Sequence, residues 1–430
     1  MERRFTDELT RNDVGKKVLL KGWVHDVRLL GKINFLILRD KGGKIQITLK
    51  KGEVGEDLMK LVKQMHQEDV IEVVGIVKES KQARRGIEII PERIEVLIKS
   101  EVPLPLDPRE VTPANLETKL NWRVLWFRTE EAKAIFSIQT EILKSFREFF
   151  LKHGFIEMQP PIIIASATEG GAELFSLPYF DKKAFLAQSP QLYKQMGAIS
   201  FERVFMVTPV FRAEKFDQPT HLNEIRQMDV EIAFADDEEV MKWLEQVMVY
   251  ILENVKKNRK KELEVLGVNL KIPETPFPRI TYEEAVKELR KKGEKIEYGD
   301  DFTKSQERKL EEIFGEAFFL VDWPEELKPF YAMPKEDNPK LVKAFDLIYK
   351  GLEISSGTQR IHIPSLLEER IKAKGMNPKD FKFYIDAFRY GAPPHAGWSI
   401  GLERLTMKVC GKSNIKEVTM FPRTRERITP

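Results

Sequence analysis

Two charged residues in one short segment are suited to binding a phosphate. Arg212 and Glu214 lie two positions apart, and the pattern around them predicts a strand, a polar loop and a second strand that runs to Glu231. The spacing puts both side chains on one face of the first strand. A guanidinium that projects from a sheet can hold a phosphate through two parallel hydrogen bonds. The alternative interpretation is a solvated hairpin with a surface ion pair.

A second arginine follows near the C-terminus, in the segment Gly401-Leu-Glu-Arg404-Leu. The glycine predicts the opening of a helix, and Arg404 would lie one turn inside it. By itself the pattern fits an exposed arginine equally well, so the role of Arg404 depends on which residues lie next to it in the fold.

A pair of carboxylates could complete a site for a charged ligand. The segment 344–357 predicts two antiparallel strands that turn at Lys350-Gly351, so that Asp346 and Glu353 could face each other. Opposed carboxylates repel, and a Mg²⁺ ion held between them and a polyphosphate would remove that cost. The alternative places one carboxylate inside the fold and the other outside.

Two further segments carry polar side chains. Ala-Thr-Glu169-Gly-Gly predicts either a mobile flap or an ordinary surface turn. Gln191 and Lys194 are spaced by three positions at a helix start, so they can converge on one small polar ligand. The alternative for this pair is a solvated helix face.

These segments need a scaffold, and the chain predicts an α+β protein. In 1–102, five Val- and Ile-rich strands with a helix after the third have the order of an OB-fold barrel. Prolines mark a linker over 103–129. From 130 to 430, helices alternate with strands around a sheet, with a small α-rich insertion at about 282–320. A length of 430 residues suits such a multidomain organisation.

Charge and cysteine content narrow the class of protein. The net charge is +3, but the first hundred residues carry 21 Lys and Arg against 16 Asp and Glu, which favours either a polyanion partner for the first domain or ordinary fluctuation. Cys410 is the only cysteine, which is typical of a reducing compartment. The charged N-terminus lacks the apolar stretch of a secretory signal, and no apolar run reaches membrane-spanning length. We therefore expect a cytoplasmic protein without a membrane partner.

The combination resembles the class II aminoacyl-tRNA synthetases over essentially the whole chain. Residues 154–161 are similar to the first signature motif of that family, the Arg212 segment to the second and Gly401–Leu405 to the third. Gln188-Ser-Pro-Gln-Leu-Tyr-Lys194, the Glu169 segment and Phe421-Pro-Arg423 resemble the aspartyl-tRNA synthetases of the archaeal and eukaryotic type. The resemblance implies a class II antiparallel sheet, and a homodimer formed through the first motif.

The resemblance also implies an enzyme. It would use ATP to activate L-aspartate as aspartyl-adenylate and transfer it to the 3′ end of tRNA-Asp. The family pattern makes Arg212 the catalytic residue at the α-phosphate. The ATP-binding positions are Arg212, Glu214, His221, Glu353 and Arg404, and the Mg²⁺ positions are Asp346, Glu353 and Ser356. The aspartate-binding positions are Glu169, Ser189, Gln191, Lys194, Asp229, Ser356 and Arg360.

The first domain would bind the anticodon. The positions that match this role are His25, Arg28, Phe35, Gln46, Arg84 and Glu88. Phe35 could stack on a base, or it could be a core aromatic of the barrel. A histidine at position 25 is similar to relatives that charge tRNA-Asn as well as tRNA-Asp, whereas the basic Arg84 is similar to relatives restricted to tRNA-Asp. We expect dual charging.

Some residues depart from the family pattern, and two other functions stay open. Ile225 stands where many relatives place an aromatic against adenine, and Pro219-Thr220 replaces a more basic loop. An asparagine–tRNA ligase shares the architecture, but Lys194 and Pro190 argue against it. A tRNA-binding paralogue without catalysis is disfavoured because the charged positions are intact.

Overall fold

Alternating apolar residues close five strands into a barrel near the N-terminus. The neighbour order around the barrel is β1-β2-β3-β5-β4. Its inward side chains, such as Leu20, Leu36 and Ile47, are completely buried. A helix follows the third strand, as the sequence predicts. The elements are β1 (Lys17–Leu30), β2 (Ile33–Asp40), β3 (Gly43–Lys50), α1 (Glu56–Val62), β4 (Val70–Glu79) and β5 (Ile87–Ile98).

The computed structural model describes residues 1–165 and 174–430, and it divides into two compact units, Met1–Thr129 and Glu130–Pro430. The first unit contains the barrel and the proline-containing stretch after it. That stretch carries two short helices, α2 (Leu116–Asn121) and α3 (Arg123–Trp126). The boundaries of the barrel domain, the linker and the larger domain remain predictions.

An eight-stranded sheet organises the second unit. Its order is β12-β13-β14-β15-β16-β11-β10-β6. The inner neighbours pair antiparallel, whereas the two edge pairs, β12 with β13 and β6 with β10, are parallel. The α+β class is confirmed, with a sheet that is mixed at its edges. The strands are β6 (Ile156–Glu157), β10 (Arg203–Phe211), β11 (Glu224–Ala233), β12 (Arg279–Thr281), β13 (Ala317–Pro324), β14 (Leu341–Tyr349), β15 (Glu353–Arg360) and β16 (His395–Gly401).

Helices cover this sheet, and a small second sheet with the order β7-β9-β8 lies in the same unit. The stripe Ile135, Ile138, Ile142 and Phe146 on the first long helix is fully buried, as its spacing predicts. No described helix is long and apolar enough to cross a membrane. The remaining elements are α4 (Glu130–Lys152), β7 (Ile163–Ile164), β8 (Ser176–Tyr179), β9 (Lys182–Leu186), α5 (Gln191–Phe201), α6 (Asp237–Asn258), α7 (Lys260–Val265), α8 (Tyr282–Lys291), α9 (Lys304–Phe314), α10 (Pro364–Ala373), α11 (Lys382–Arg389) and α12 (Leu402–Val409).

Candidate active site

An open pocket of about 640 Å³ lies on the sheet of the second unit. Strands β15, β16 and β11 are neighbours there, so segments far apart in the sequence meet at one place. The pocket is lined by the loop after β10, the start of β15 and the start of α12. It brings together all the residues proposed for ATP, namely Arg212, Glu214, His221, Glu353 and Arg404.

Arg212 is held by the backbone of the loop after β10. Its N–H donates to the carbonyl oxygen of Asn223 at 2.9 Å. In return, Asn223 Nδ2 donates to the carbonyl oxygens of Arg212 at 2.7 Å and Glu214 at 3.3 Å. Both charged side chains are partly buried in the pocket wall. The geometry therefore excludes a fully solvated hairpin.

Arg404 connects three parts of the pocket. Its Nη1 donates to the carbonyl oxygen of Glu353 at 3.0 Å and lies 3.6 Å from Oε2 of the same residue. Its Nη2 lies 3.4 Å from His221 Nε2. Because a guanidinium only donates, this imidazole nitrogen must accept. Burial, and then the charges of Arg404, Lys304 and Arg212, lower the pKa of His221 to about 4, so the ring is neutral at neutral pH.

A β-bulge sets the positions of the two predicted metal-binding carboxylates. The strands turn at Lys350-Gly351 as expected, but the register shifts between Leu347 and Ile348. Asp346 consequently lies opposite Ser356, and Glu353 lies opposite Ile348. The expectation that Asp346 and Glu353 face each other directly is wrong. The turn at Lys350-Gly351 already places Glu353 opposite Ile348, and the bulge, which adds one residue to β15, gives Asp346 Ser356 as its partner in place of Ser355.

The two carboxyl groups have different electrostatic surroundings. Burial raises the pKa of Asp346; Lys328 opposes this effect and the nearby Glu353 adds to it. Burial also acts to raise the pKa of Glu353, but Arg404, Lys304, Lys328 and Arg212 together lower it below its ordinary value. The Glu353 carboxylate is therefore ionised and faces the cationic side of the pocket.

The oxygen atoms at this place fit a magnesium ion. Asp346 Oδ2 accepts from Lys328 Nζ at 2.6 Å, while the buried Oδ1 has no hydrogen-bond partner among the described residues. Glu353 and Ser356 supply a carboxylate and a hydroxyl from the pocket wall. Mg²⁺ is usually bound by one or two carboxylates together with substrate phosphates and waters. In the described ranges no group of three or more His, Cys, Asp or Glu side chains forms a complete metal cage.

A buried ion network lies beside the pocket under helix α5. Lys194 Nζ donates to Asp229 Oδ1 at 2.9 Å and lies 3.6 Å from Glu231 Oε2. Arg360 donates to both oxygens of Glu231, at 2.8 and 3.0 Å. All four side chains are almost completely inaccessible. The alternative of a solvated helix face for Lys194 is wrong.

The network contains two cations and two carboxylates, so its net charge is zero when all four groups are ionised. Burial raises the pKa of Asp229 even though Lys194 stabilises its anion. Burial opposes ionisation of Glu231 too, but Arg360 and Lys194 lower its pKa. Ser399 joins the network to the pocket, because it lines the pocket and its Oγ donates to Asp229 Oδ2 at 3.4 Å.

The other proposed aspartate-binding residues that the structure describes lie at two places. Ser189 Oγ accepts the N–H of Gln191 at 3.2 Å at the start of α5. The Gln191 amide nitrogen is buried and has no partner in the described part of the chain, so it is suited to a ligand oxygen. Ser356 lines the pocket. Glu169 lies outside the described residues.

Two buried carboxyl groups were missed by sequence reasoning. Glu231 accepts hydrogen bonds from Arg360. The sequence signal that could have identified it is its position two residues after Asp229, because this spacing puts both carboxylates on one face of β11. Glu403 accepts the N–H of Arg226 with both oxygens, at 3.1 and 3.0 Å. Burial raises the pKa of Glu403 to about 7. No local pattern distinguishes Glu403 from an exposed helical glutamate.

In the barrel, four predicted anticodon residues share one outward face. Arg28 pairs with Phe35 across β1 and β2, and Gln46 Nε2 donates to Glu88 Oε2 at 2.9 Å. Phe35 is partly buried and lies outside the cluster of core residues, on the opposite face of β2 from Leu36. The two remaining residues lie elsewhere: His25 is almost buried, and Arg84 is exposed in the loop between β4 and β5.

Comparison with known proteins agrees with the fold. Residues 115–425 match the family described as tRNA synthetases class II (D, K and N), and residues 18–97 match the OB-fold nucleic acid binding domain. The chain belongs to the class II aminoacyl-tRNA synthetases.

Named relatives are similar over nearly their whole length. The aspartate–tRNA(Asp/Asn) ligase of Methanocaldococcus jannaschii is 49% identical over 97% of this chain and 95% of the relative. The protein of the same name from Archaeoglobus fulgidus is 48% identical over 100% of both chains. Among solved structures, the asparaginyl-tRNA synthetase from Pyrococcus horikoshii complexed with asparaginyl-adenylate has a TM-score of 0.96 at 38% identity, over 100% of both chains. The aspartyl tRNA synthetase from Entamoeba histolytica has a TM-score of 0.88 at 32% identity, over 100% of this chain and 93% of that one.

Proposed function

We propose that this chain is an aspartate–tRNA ligase. It activates L-aspartate with ATP and transfers the aspartyl group to the terminal ribose of tRNA-Asp. The observation that carries the proposal is the junction of the Arg212–Arg404 pocket with the buried Lys194 and Arg360 cations through Ser399. Curated relatives of nearly half identity, of which the chain covers 95% and 100%, carry the name aspartate–tRNA(Asp/Asn) ligase.

The first step needs no nucleophilic side chain. An α-carboxylate oxygen of aspartate attacks the α-phosphorus of ATP, and the bond from that phosphorus to the bridging oxygen breaks as pyrophosphate leaves. Arg212 places its charge where negative charge grows at the α-phosphate. Arg404 and the neutral His221, which contact each other in the pocket, hold the nucleotide. Mg²⁺ bound by Asp346, Glu353 and Ser356 would supply positive charge to the polyphosphate.

In the second step, a terminal ribose hydroxyl of the tRNA attacks the carbonyl carbon of aspartyl-adenylate. The ester bond forms, AMP leaves, and the hydroxyl proton is released. The chain's contribution is to fix the two reactants in one geometry and to exclude water from the mixed anhydride. The family resemblance implies the 3′-hydroxyl as the attacking group.

Asparagine–tRNA ligation is the second candidate, because a solved asparaginyl-tRNA synthetase has a very similar fold. Lys194 favours aspartate. Its ammonium can attract the side-chain carboxylate of aspartate, whereas the neutral amide of asparagine carries no charge to be attracted.

The test is ATP–pyrophosphate exchange without tRNA, with aspartate and asparagine compared at equal concentrations. We expect exchange with aspartate and at most about one-hundredth of that rate with asparagine, because a neutral amide is not attracted to the Lys194 and Arg360 cations as a carboxylate is. Exchange with asparagine alone would overturn the assignment of Lys194. Exchange with neither amino acid would favour a paralogue without catalysis.

The barrel is proposed to bind the anticodon of the tRNA. Phe35→Ala removes a partly buried ring from the face that carries Arg28, Gln46 and Glu88. If one base stacks on this ring, the tRNA loses about 1–3 kcal/mol of binding free energy. We expect a raised KM for tRNA in the charging assay.

Leu97→Ala, which truncates an exposed apolar side chain on β5, is the matched control. A cooperative loss of the barrel fold in Phe35→Ala would instead support the core-aromatic interpretation.

Three further expectations belong to the same proposal. Homodimerisation through the first motif and the requirement for Mg²⁺ follow from the resemblance, and a cytoplasmic location is expected from the single cysteine. Whether tRNA-Asn is charged together with tRNA-Asp depends on how the barrel treats the last anticodon base. His25 is the barrel residue on which this tRNA specificity is expected to depend.

A further inference from the structure

Helix α9, from the α-rich segment 282–320, packs on the turn that leads into the ATP pocket. Its residue Leu310 is completely buried in an apolar cluster with Phe318 of β13. Gly351, in the turn between β14 and β15, lies so close to this helix that a Cβ atom there would come within 3.1 Å of the Arg308 Cα. The helix is therefore fixed against the start of β15, which carries Glu353.

Glu307 connects α9 to this strand. Its Oε2 accepts the N–H of Glu353 at 3.1 Å, and its Oε1 accepts from Lys304 Nζ at 2.6 Å. The Glu307 side chain is almost completely buried. Burial raises the pKa of Glu307; Lys304 opposes this effect and the nearby Glu353 adds to it. Direct contacts thus lead from Lys304 through Glu307 to a carboxylate that lines the pocket.

The ammonium of Lys304 lies close to the pocket. Burial and then the charge of Arg404 lower the pKa of His221, and the charge of Lys304 acts next, ahead of Arg212. Burial acts to raise the pKa of Glu353, while Arg404, followed by Lys304, lowers it. Because the interaction between charges weakens with distance, the ammonium must lie near the part of the wall that His221 and Glu353 form.

This ammonium has donors to spare. Glu307 accepts one hydrogen bond from Lys304 Nζ, and the described residues supply no second acceptor. An ammonium group has three N–H donors, so two remain for a ligand. The side chain is 29% exposed, which leaves its charge accessible to an anion in the pocket.

Helix stability does not account for a lysine at this position. Thr303 is the N-cap of α9, so Lys304 is the first residue of the helix, where the helix dipole disfavours a cation. A lysine that precedes its glutamate is also in the less favourable order for an ion pair within a helix. A polyanion in the adjacent pocket gives the charge of Lys304 a use that the helix alone does not.

The triphosphate of ATP is such a polyanion. In the proposed reaction Arg212 acts at the α-phosphate, and Asp346, Glu353 and Ser356 hold Mg²⁺ for the polyphosphate. Lys304 acts more strongly on Glu353 than Arg212 does, which associates it with the metal-binding side of the pocket. The phosphates beyond the α-phosphate belong on that side, because Mg²⁺ in such sites is shared between carboxylates and phosphate oxygens.

We propose that Lys304, held by Glu307 at the pocket wall, binds the β- and γ-phosphates of ATP and the pyrophosphate product. The segment between the second and third motifs then contributes a side chain to the nucleotide site in addition to its role in the fold. This inference rests on the proposed function and adds a residue that recognises the leaving group of the first step.

The first test compares ATP with AMP by isothermal titration calorimetry, with Mg²⁺ present and without amino acid or tRNA. AMP lacks the two phosphates that Lys304 would bind. We expect Lys304→Met to weaken ATP binding by about tenfold, the loss of one charge-assisted hydrogen bond, and to leave AMP binding within about twofold of the parent chain. Lys309→Met is the matched control, because it removes an ammonium from the same helix that pairs with Glu294.

The second test separates pyrophosphate binding from the rest of the reaction. Aspartyl-adenylate is formed on the enzyme, the complex is isolated, and pyrophosphate is added. A pyrophosphate oxygen attacks the α-phosphorus, the aspartate carboxylate leaves, and ATP forms. We expect Lys304→Met to raise the KM for pyrophosphate by about tenfold. Transfer from the same complex to tRNA-Asp should stay within about twofold of the parent rate, because pyrophosphate has left before that step.

A double variant distinguishes a lost phosphate contact from a disturbed carboxylate. Lys304→Met alone leaves Glu307 buried without its cation. Adding Glu307→Gln removes that charge and keeps an acceptor for the Glu353 N–H. We expect the double variant to lose ATP affinity as Lys304→Met does.

The outcomes separate this inference from the proposed function. Equal weakening of ATP and AMP, unchanged ATP binding in Lys304→Met, or recovery of ATP binding in the double variant would each overturn the role of Lys304. Absence of aspartate-dependent pyrophosphate exchange in the unmodified chain would overturn the proposed function instead. The comparison of ATP with AMP needs no amino acid, so it decides the role of Lys304 in either case.

Discussion

Arg212→Ala is expected to reduce aspartate-dependent pyrophosphate exchange by about 10²–10³-fold while the second unit stays folded. The guanidinium lies in the pocket wall at the end of β10, and its backbone, which Asn223 holds, does not depend on the side chain. Removing one group that stabilises developing charge typically costs about 3–4 kcal/mol of transition-state stabilisation. The loss should appear mainly in kcat, because the charge at phosphorus grows only as the reaction proceeds.

The measurements are exchange kinetics, and thermal unfolding followed by circular dichroism. Arg203→Ala is the matched control, because Arg203 is an exposed arginine at the other end of the same strand. We expect the control to retain exchange within about threefold of the parent chain, since surface substitutions rarely have large effects. Exchange by Arg212→Ala at the parent rate would show that this residue does not act on the α-phosphate.

Lys194→Met should weaken aspartate activation and destabilise the second unit at neutral pH. Asp229 is fully buried and would lose its ammonium partner at 2.9 Å. Breaking a buried ion pair by removing one partner costs about 3–5 kcal/mol, because the remaining charge is left uncompensated. The KM for aspartate should rise, since the pocket loses one of two cations that can face the side-chain carboxylate.

The destabilisation of Lys194→Met should shrink as the pH falls. Burial already raises the pKa of Asp229, and removing Lys194 takes away the group that lowers it. A carboxyl group whose pKa is higher in the folded state than in the unfolded state favours folding when protonated, and this benefit is lost as the pH rises through the folded-state pKa. Urea unfolding at about pH 7.5 and at about pH 5 measures the difference. Lys382→Met, which breaks an exposed pair with Asp386, is the control and should show no such pH dependence. An equal free-energy loss at both pH values would contradict the account of Asp229.

Local patterns predicted much of the fold. The stripe Ile135–Phe146 repeats at helical spacing and is buried in α4, because one face of a long helix can be covered only by the core. The barrel strands alternate at period two, and the helix after β3 follows from the same reasoning. The positions of Arg212 and Arg404 at element ends were readable because each belongs to a short contiguous motif.

Other features depend on which strands become neighbours. Glu231 and Arg360 are 129 positions apart in the sequence, and no local pattern predicts that they form an ion pair. Asp346 faces Ser356 rather than Ser355 because of one extra residue in β15, and a shift of one residue in a ladder changes every opposition beyond it.

The sequence by itself determined which residues could do the chemistry, since the types and spacing of Arg212, Glu353 and Arg404 are local properties. Only the tertiary structure decided how the functional side chains are buried, which partners they have and where their protons lie. In the sequence, Lys194 is indistinguishable from an ordinary helical lysine. In the folded chain, the packing of α5 on β11 places Asp229 next to its ammonium. His25 has two possible tautomers until a bulge in β1 sets it against Arg39. In both cases the physical reason is the same: burial removes water as a hydrogen-bond partner, so the nearest fixed charge decides where the protons lie.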